Sequence, residues 1–163
     1  RRLATRDLLL IRPQRATEVK RFSTREIEKA RFVRAAVEQE VLRRAAAHCD
    51  AEGAAALDAA IAAQDQTIAT EDVEAFTRLD YDFHKTLCQI AQSDFAFDVI
   101  MAEKSKVDRL PELIDDHRAI AAAVKAHDPE KAVTAGMRHL SRLDRTIEQI
   151  SATNANYFEK ETP

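Results

Sequence analysis

The chain has 163 residues, 45% of them apolar, and a formal net charge of −3. That suits one domain, or one domain with a fragment of another, with enough apolar material for a real core. No apolar run approaches the roughly 20 residues that span a bilayer, and no signal-peptide pattern opens the chain, so a soluble, cytoplasmic protein without a membrane partner is expected.

Glycine (2) and proline (4) are scarce, while alanine, glutamate, arginine and leucine abound. That balance favours helices, because alanine and straight-chain residues lose little entropy on entering one. Cys49 and Cys88 are isolated and make no disulfide framework; both read as helix-buried thiols. Charge is unevenly spread. Residues 1–22 carry seven basic side chains (Arg1, Arg2, Arg6, Arg12, Arg15, Lys20, Arg21) against Asp7 and Glu18, a net of +5, which leaves −8 for the remainder. A basic head on an acidic body suits contact between the head and a polyanion, although a solvated basic terminus would look the same.

In chain order, Leu8-Leu9-Leu10-Ile11 is a short apolar run stopped by Pro13, and Thr17-Glu18-Val19 a second extended piece. Together they predict a small β-hairpin with a basic tip. From Ser23 onward the pattern is helical. Ser23 with Glu26 forms a capping box that opens a first helix reaching about His48, with Ile27, Ala30, Val33, Val37, Val41 and Ala45 on one face. Asp50 caps a second over about 51–66. Asp72 starts a third that reaches about Gln92, striped by Phe76, Leu79, Phe83, Leu87 and Ile90. Ser93 caps a fourth over 94–107. Pro111 suits the first turn of a fifth that ends near His127, and Asp128-Pro129-Glu130 opens a sixth that continues to about Ser151. The fold expected is all-α: an antiparallel bundle of about six helices with short connections, preceded by the hairpin.

Four polar residues interrupt the apolar faces. Asp80 and His84 are four apart on the third helix and project from one side of it. His117 stands in the row Leu113, His117, Ile120, Val124. His139 borders Gly136, Leu140, Leu143 and Ile147. Each histidine alone reads equally as a hydrogen-bonded core residue. Together, three imidazoles and a carboxylate are a candidate cage for Zn²⁺, Ni²⁺, Mn²⁺ or Fe²⁺, among which the ligands do not choose. His48 and His127 fall at helix C-termini and are left out of the set. Phosphate loops, HExxH, Glu-x-x-His pairs and nucleophile motifs are all lacking.

The stretch Phe76-Thr77-Arg78-Leu79-Asp80-Tyr81-Asp82-Phe83-His84-Lys85-Thr86-Leu87 resembles the signature of the FCD effector domain of the FadR subfamily of GntR transcription regulators. Asp116-His117-Arg118-Ala119-Ile120 and Met137-Arg138-His139-Leu140 resemble that family's two later histidine motifs. The run from Arg2-Leu3-Ala4 through Leu8-Leu9-Leu10-Ile11-Arg12-Pro13-Gln14-Arg15-Ala16-Thr17 is similar to the end and wing of a winged helix-turn-helix domain. The resemblance covers nearly the whole chain. It implies two parts, 1–22 as the remnant of a DNA-binding domain and 23–163 as an FCD-type ligand- and metal-binding domain. It also implies a divalent metal on Asp80, His84, His117 and His139, with a small organic acid completing its coordination. Arg34 matches the arginine that assists the effector, although a salt bridge to Glu38 at i+4 is an equal reading. Arg12 and Arg15 would face operator DNA, and the regulator would be a homodimer. The chain departs from the family pattern in three ways: most of the winged-helix domain is absent, the segment between His84 and His117 is shorter by several helical turns, and Arg15 stands where the wing usually has glycine.

A metabolite-responsive regulator is therefore the leading expectation. A metal-dependent hydrolase or oxygenase built on the same cage is the alternative from another class, although no general base stands out. A metal-free helical interaction module is the third.

Overall fold

A computed structural model describes residues 9–10, 18–19, 23–70, 72–104 and 114–153. The described body is helical: α1 (Thr24–His48), α2 (Ala51–Ala69), α3 (Val73–Ile90), α4 (Asp94–Lys104), α5 (Ile114–Lys125) and α6 (Pro129–Thr153). Ahead of it, β1 (Leu9–Leu10) and β2 (Glu18–Val19) pair antiparallel, Leu9 opposite Val19 and Leu10 opposite Glu18. That ladder is two residues long. The tip of the expected hairpin, with Arg12 and Arg15, lies outside the described residues, as does the expected start of α5 at Pro111.

Helix starts follow side-chain caps that satisfy the otherwise orphaned first N–H groups. Ser23, Asp50, Asp72 and Asp128 each accept from the backbone N–H three residues on, at Glu26, Gly53, Ala75 and Lys131. Ser93 departs from the expected pattern. Its hydroxyl donates to the Ala91 carbonyl at 3.1 Å and does not cap α4. The second helix runs past residue 66 to Ala69, where the Thr67 hydroxyl bonds back to the Gln64 carbonyl and no breaker intervenes.

Helix α1 packs against α3, α4, α5 and α6, and α2 against α3 and α5. The core centres on Leu42, Ala45, Ala46, Leu57, Phe83, Leu87, Ile100, Ile120 and Val124. Burying a leucine- or phenylalanine-sized side chain contributes roughly 1.5–3 kcal/mol, so this cluster dominates the stability of the bundle. Gly136 lets α6 approach α1: a Cβ there would lie 2.3 Å from Leu42 Cδ1.

One stripe differs from expectation. On α1, Val33 is 40% exposed while Arg34 and Glu38 are buried. The buried line runs Ile27, Ala30, Arg34, Glu38, Val41, Ala45, at the three- and four-residue steps of a helix face. The polar pair fits that face because each member neutralises the other.

Candidate metal centre

Three helices deliver the four predicted residues to one place. On α3, Asp80 and His84 lie one turn apart on the inner edge of the stripe, His117 sits near the start of α5, and His139 sits in α6 one turn from Gly136. All four are buried, His117 and His139 completely. One ring nitrogen from each histidine lies within 4.8 Å of those of the other two. Ring centroids are 5.5 Å apart for His84–His117, 5.6 Å for His84–His139 and 4.8 Å for His117–His139. Asp80 Oδ1 stands 3.4 Å from His117 Nε2 and 3.6 Å from His84 Nε2.

The donor set fits a divalent cation. Donors about 2.1 Å from a shared ion and adjacent around it sit about 3.0–3.4 Å apart, close to the spacing Asp80 already has. Imidazole nitrogen suits zinc, nickel and iron, and the added carboxylate extends the range to manganese. Phe83 holds one wall of the site: its ring stacks on His117 at 4.4 Å and 23°.

Two supporting residues were not singled out from the sequence. Gln64 on α2 is fully buried, with Oε1 2.8 Å from His117 Nδ1 and Nε2 3.1 Å from the Leu79 carbonyl. Its one sequence signal is that it continues the buried row Gly53, Leu57 of α2. Asp116, next to His117, is also fully buried. It bridges α5 to α6 by accepting from Arg138 Nε at 3.1 Å and pairing with Arg142 Nε at 3.3 Å, and its Oδ2 lies 4.0 Å from His139 Nδ1. The arginines are about half exposed, so a buried carboxylate beside the site is neutralised from the surface.

Arg34 donates Nε to Glu38 at 2.7 Å, with both side chains buried, which is the ion pair the spacing allowed. The pair lies on the buried face of α1, and the Glu38 charge helps to raise the Cys88 thiol, one turn from His84 on α3. His48 ends α1 exposed, and His127 bonds the Ala46 carbonyl with Nδ1, so neither joins the site. No helix among the described residues is long and apolar enough to cross a membrane.

The FCD domain family matches residues 30–142, which include all four candidate ligands and Arg34. The HTH-type transcriptional repressor RspR of Escherichia coli is 31% identical over 171 residues, 98% of this chain and 75% of that protein. An uncharacterized HTH-type transcriptional regulator of Shigella flexneri, YdfH, matches with the same identity and span. Both alignments are longer than the 163 residues here, so the relatives hold residues that this chain lacks within the aligned span. Among solved structures, E. coli McbR/YncC matches with a TM-score of 0.72 at 17% identity, covering 91% of this chain and 80% of that one. Streptococcus agalactiae GntR matches with a TM-score of 0.65 at 18% identity, covering 88% and 77%. At such identities the structures speak for the fold alone. Both relatives are named as transcriptional regulators, which favours the regulator reading over a hydrolase or oxygenase. The chain belongs to the GntR-family transcriptional regulators of the FCD type, and its helical body is their effector-binding domain.

Proposed function

We propose that the domain holds one divalent cation on Asp80, His84, His117 and His139, and that a small carboxylate effector binding beside it modulates operator binding by a homodimer. The observation that carries this reading is the convergence of three buried imidazole nitrogens within 4.8 Å, with a carboxylate oxygen 3.4 Å and 3.6 Å from two of them. A cation with four protein ligands retains open positions for the oxygens of an organic acid. Arg34 contributes the second half of the effector site. Its guanidinium is held on the buried face of α1 by the bond from Nε to Glu38 at 2.7 Å. Within this reading, residues 1–22 are the end of a winged helix-turn-helix domain, residues 23–163 the sensor, and Arg12 and Arg15 contact DNA phosphates.

The test is elemental analysis of protein never exposed to affinity nickel, with a thermal-shift screen of small organic acids with and without divalent metals. One bound metal per chain, a midpoint lowered by EDTA, and an acid-induced shift that requires metal are expected. Absence of metal together with an unchanged response in His117→Ala would defeat the reading. Light scattering tests the dimer. For the full-length regulator, Arg12→Ala should weaken operator and random DNA alike and flatten the salt dependence.

A further inference from the structure

Gln64 uses both ends of its amide. A backbone carbonyl can only accept, so the NH₂ group must be the end facing Leu79, at 3.1 Å. The amide oxygen is then the atom 2.8 Å from His117 Nδ1. That oxygen carries no proton, so the hydrogen of the bond belongs to Nδ1. In a neutral imidazole the other nitrogen, Nε2, is then a bare lone pair, and Nε2 is the atom that faces Asp80 Oδ1 at 3.4 Å. Phe83, stacked on the same ring, opposes its rotation.

We infer that Gln64 is the positioning residue of the centre: it selects the Nδ1–H tautomer of His117 and aims Nε2 as the donor atom. The same amide holds the carbonyl of Leu79, the residue before Asp80, so one side chain on α2 sets two ligands from α3 and α5 in register. Partners of this kind fix ring orientation and raise ligand basicity, and their loss typically costs 10–100-fold in metal affinity. The role in metal binding rests on the cation reading above, whereas the tautomer does not.

The experiment therefore separates the two. Long-range ¹H–¹⁵N spectra of histidine-labelled, metal-free protein at pH 8, with His117 assigned from its absence in His117→Ala, should show a protonated Nδ1. An Nε2–H tautomer overturns the inference. Gln64→Met keeps roughly the side-chain volume and removes both polar ends; the Nδ1–H preference should vanish and zinc affinity, read by chelator competition, should fall about 10–100-fold. Gln64→Glu keeps an acceptor for His117 and should retain the tautomer with a smaller loss of affinity. Zinc affinity within threefold of wild type in folded Gln64→Met, or a lost tautomer in folded Gln64→Glu, would overturn the role of Gln64 while leaving the cage intact. Failure of wild type to bind zinc with the Nδ1–H tautomer present would overturn the cage and spare the tautomer.

Discussion

Replacing Arg34 by methionine, similar in length and uncharged, removes the counter-charge that α1 provides for Glu38. The discount that applies to surface pairs does not apply here, since the two side chains are 8% and 6% exposed and meet at 2.7 Å. Removing one partner of a buried pair costs about 3–5 kcal/mol, whereas replacing both by well-packed apolar residues is often neutral or stabilising. For a chain of this size, about 3 °C of thermal midpoint corresponds to 1 kcal/mol. Arg34→Met should therefore lower the midpoint by roughly 9–15 °C, and the double variant Arg34→Met/Glu38→Leu should recover most of it. Urea denaturation read by circular dichroism measures all four corners of the cycle. A single-variant cost below about 1 kcal/mol, or additive losses in the double variant, would refute the claim that the pair is desolvated. The double variant also serves function. It should fold without the Arg34 guanidinium and lose the metal-dependent thermal shift with organic acids; an undiminished shift would remove Arg34 from the effector site.

Phe83→Ala should destabilise by about 3–5 kcal/mol, the usual cost of emptying a fully buried aromatic site, and it should weaken metal binding as well, because His117 loses its stacked neighbour; a stable variant with unchanged affinity would contradict both. Cys88 is buried, and desolvation, helped by the Glu38 and Asp94 charges, pushes its thiol up to about 12, while burial and Asp50 raise Cys49. Neither should react with a disulfide reagent at pH 8 in the native state and both should after unfolding; rapid native labelling of either would disagree. At the start of α6, the Lys131 ammonium and backbone N–H hold the Asp128 carboxyl below its ordinary range. A depressed folded value means that its contribution is present above the unfolded pKa and is lost as pH falls through the folded one. Asp128→Asn should therefore lose less stability than wild type on acidification below about pH 4; parallel melting curves from pH 5 to pH 2 would rule this out.

The helices were legible because their signals are local. A capping aspartate acts on an N–H three residues away, and an apolar stripe repeats within one turn, so neither needs knowledge of a partner. Asp80, His84, His117 and His139 were legible less directly: His117 interrupts an apolar row, the other three lie at the edges of apolar stripes, and their order and spacing resemble the FCD motifs. Gln64 and Asp116 were not singled out, since what gives them a role lies 53 and 22 positions away, at His117 and Arg138. Arg34 and Glu38 exposed the weakness of reading a stripe by hydropathy alone. The phase of α1 is set by which residues can be buried, and a neutralised i,i+4 pair can be buried as well as valine.

Under the proposed function, the position of the pair on α1 bears on how effector binding would be relayed to the chain ahead of that helix. Residue 34 lies ten residues from the start of α1, about 15 Å along a rigid rod, and the chain ahead of that start is the basic head. The candidate ligands are carried by α3, α5 and α6, while Arg34 is carried by α1, which packs on all three. An acid held between the cation and Arg34 would therefore pull one helix relative to the others. A core of packed side chains answers such a pull by stepping between discrete arrangements more readily than by gradual bending. Binding at the cage alone adds stability to the folded state, about 2.7 kcal/mol at a hundredfold excess over the dissociation constant, yet it shifts no equilibrium between two folded arrangements that bind equally well. In the proposed reading, discrimination comes from the contact to α1. An acid that occupies the metal without engaging Arg34 should thus raise the melting temperature and leave operator affinity unchanged.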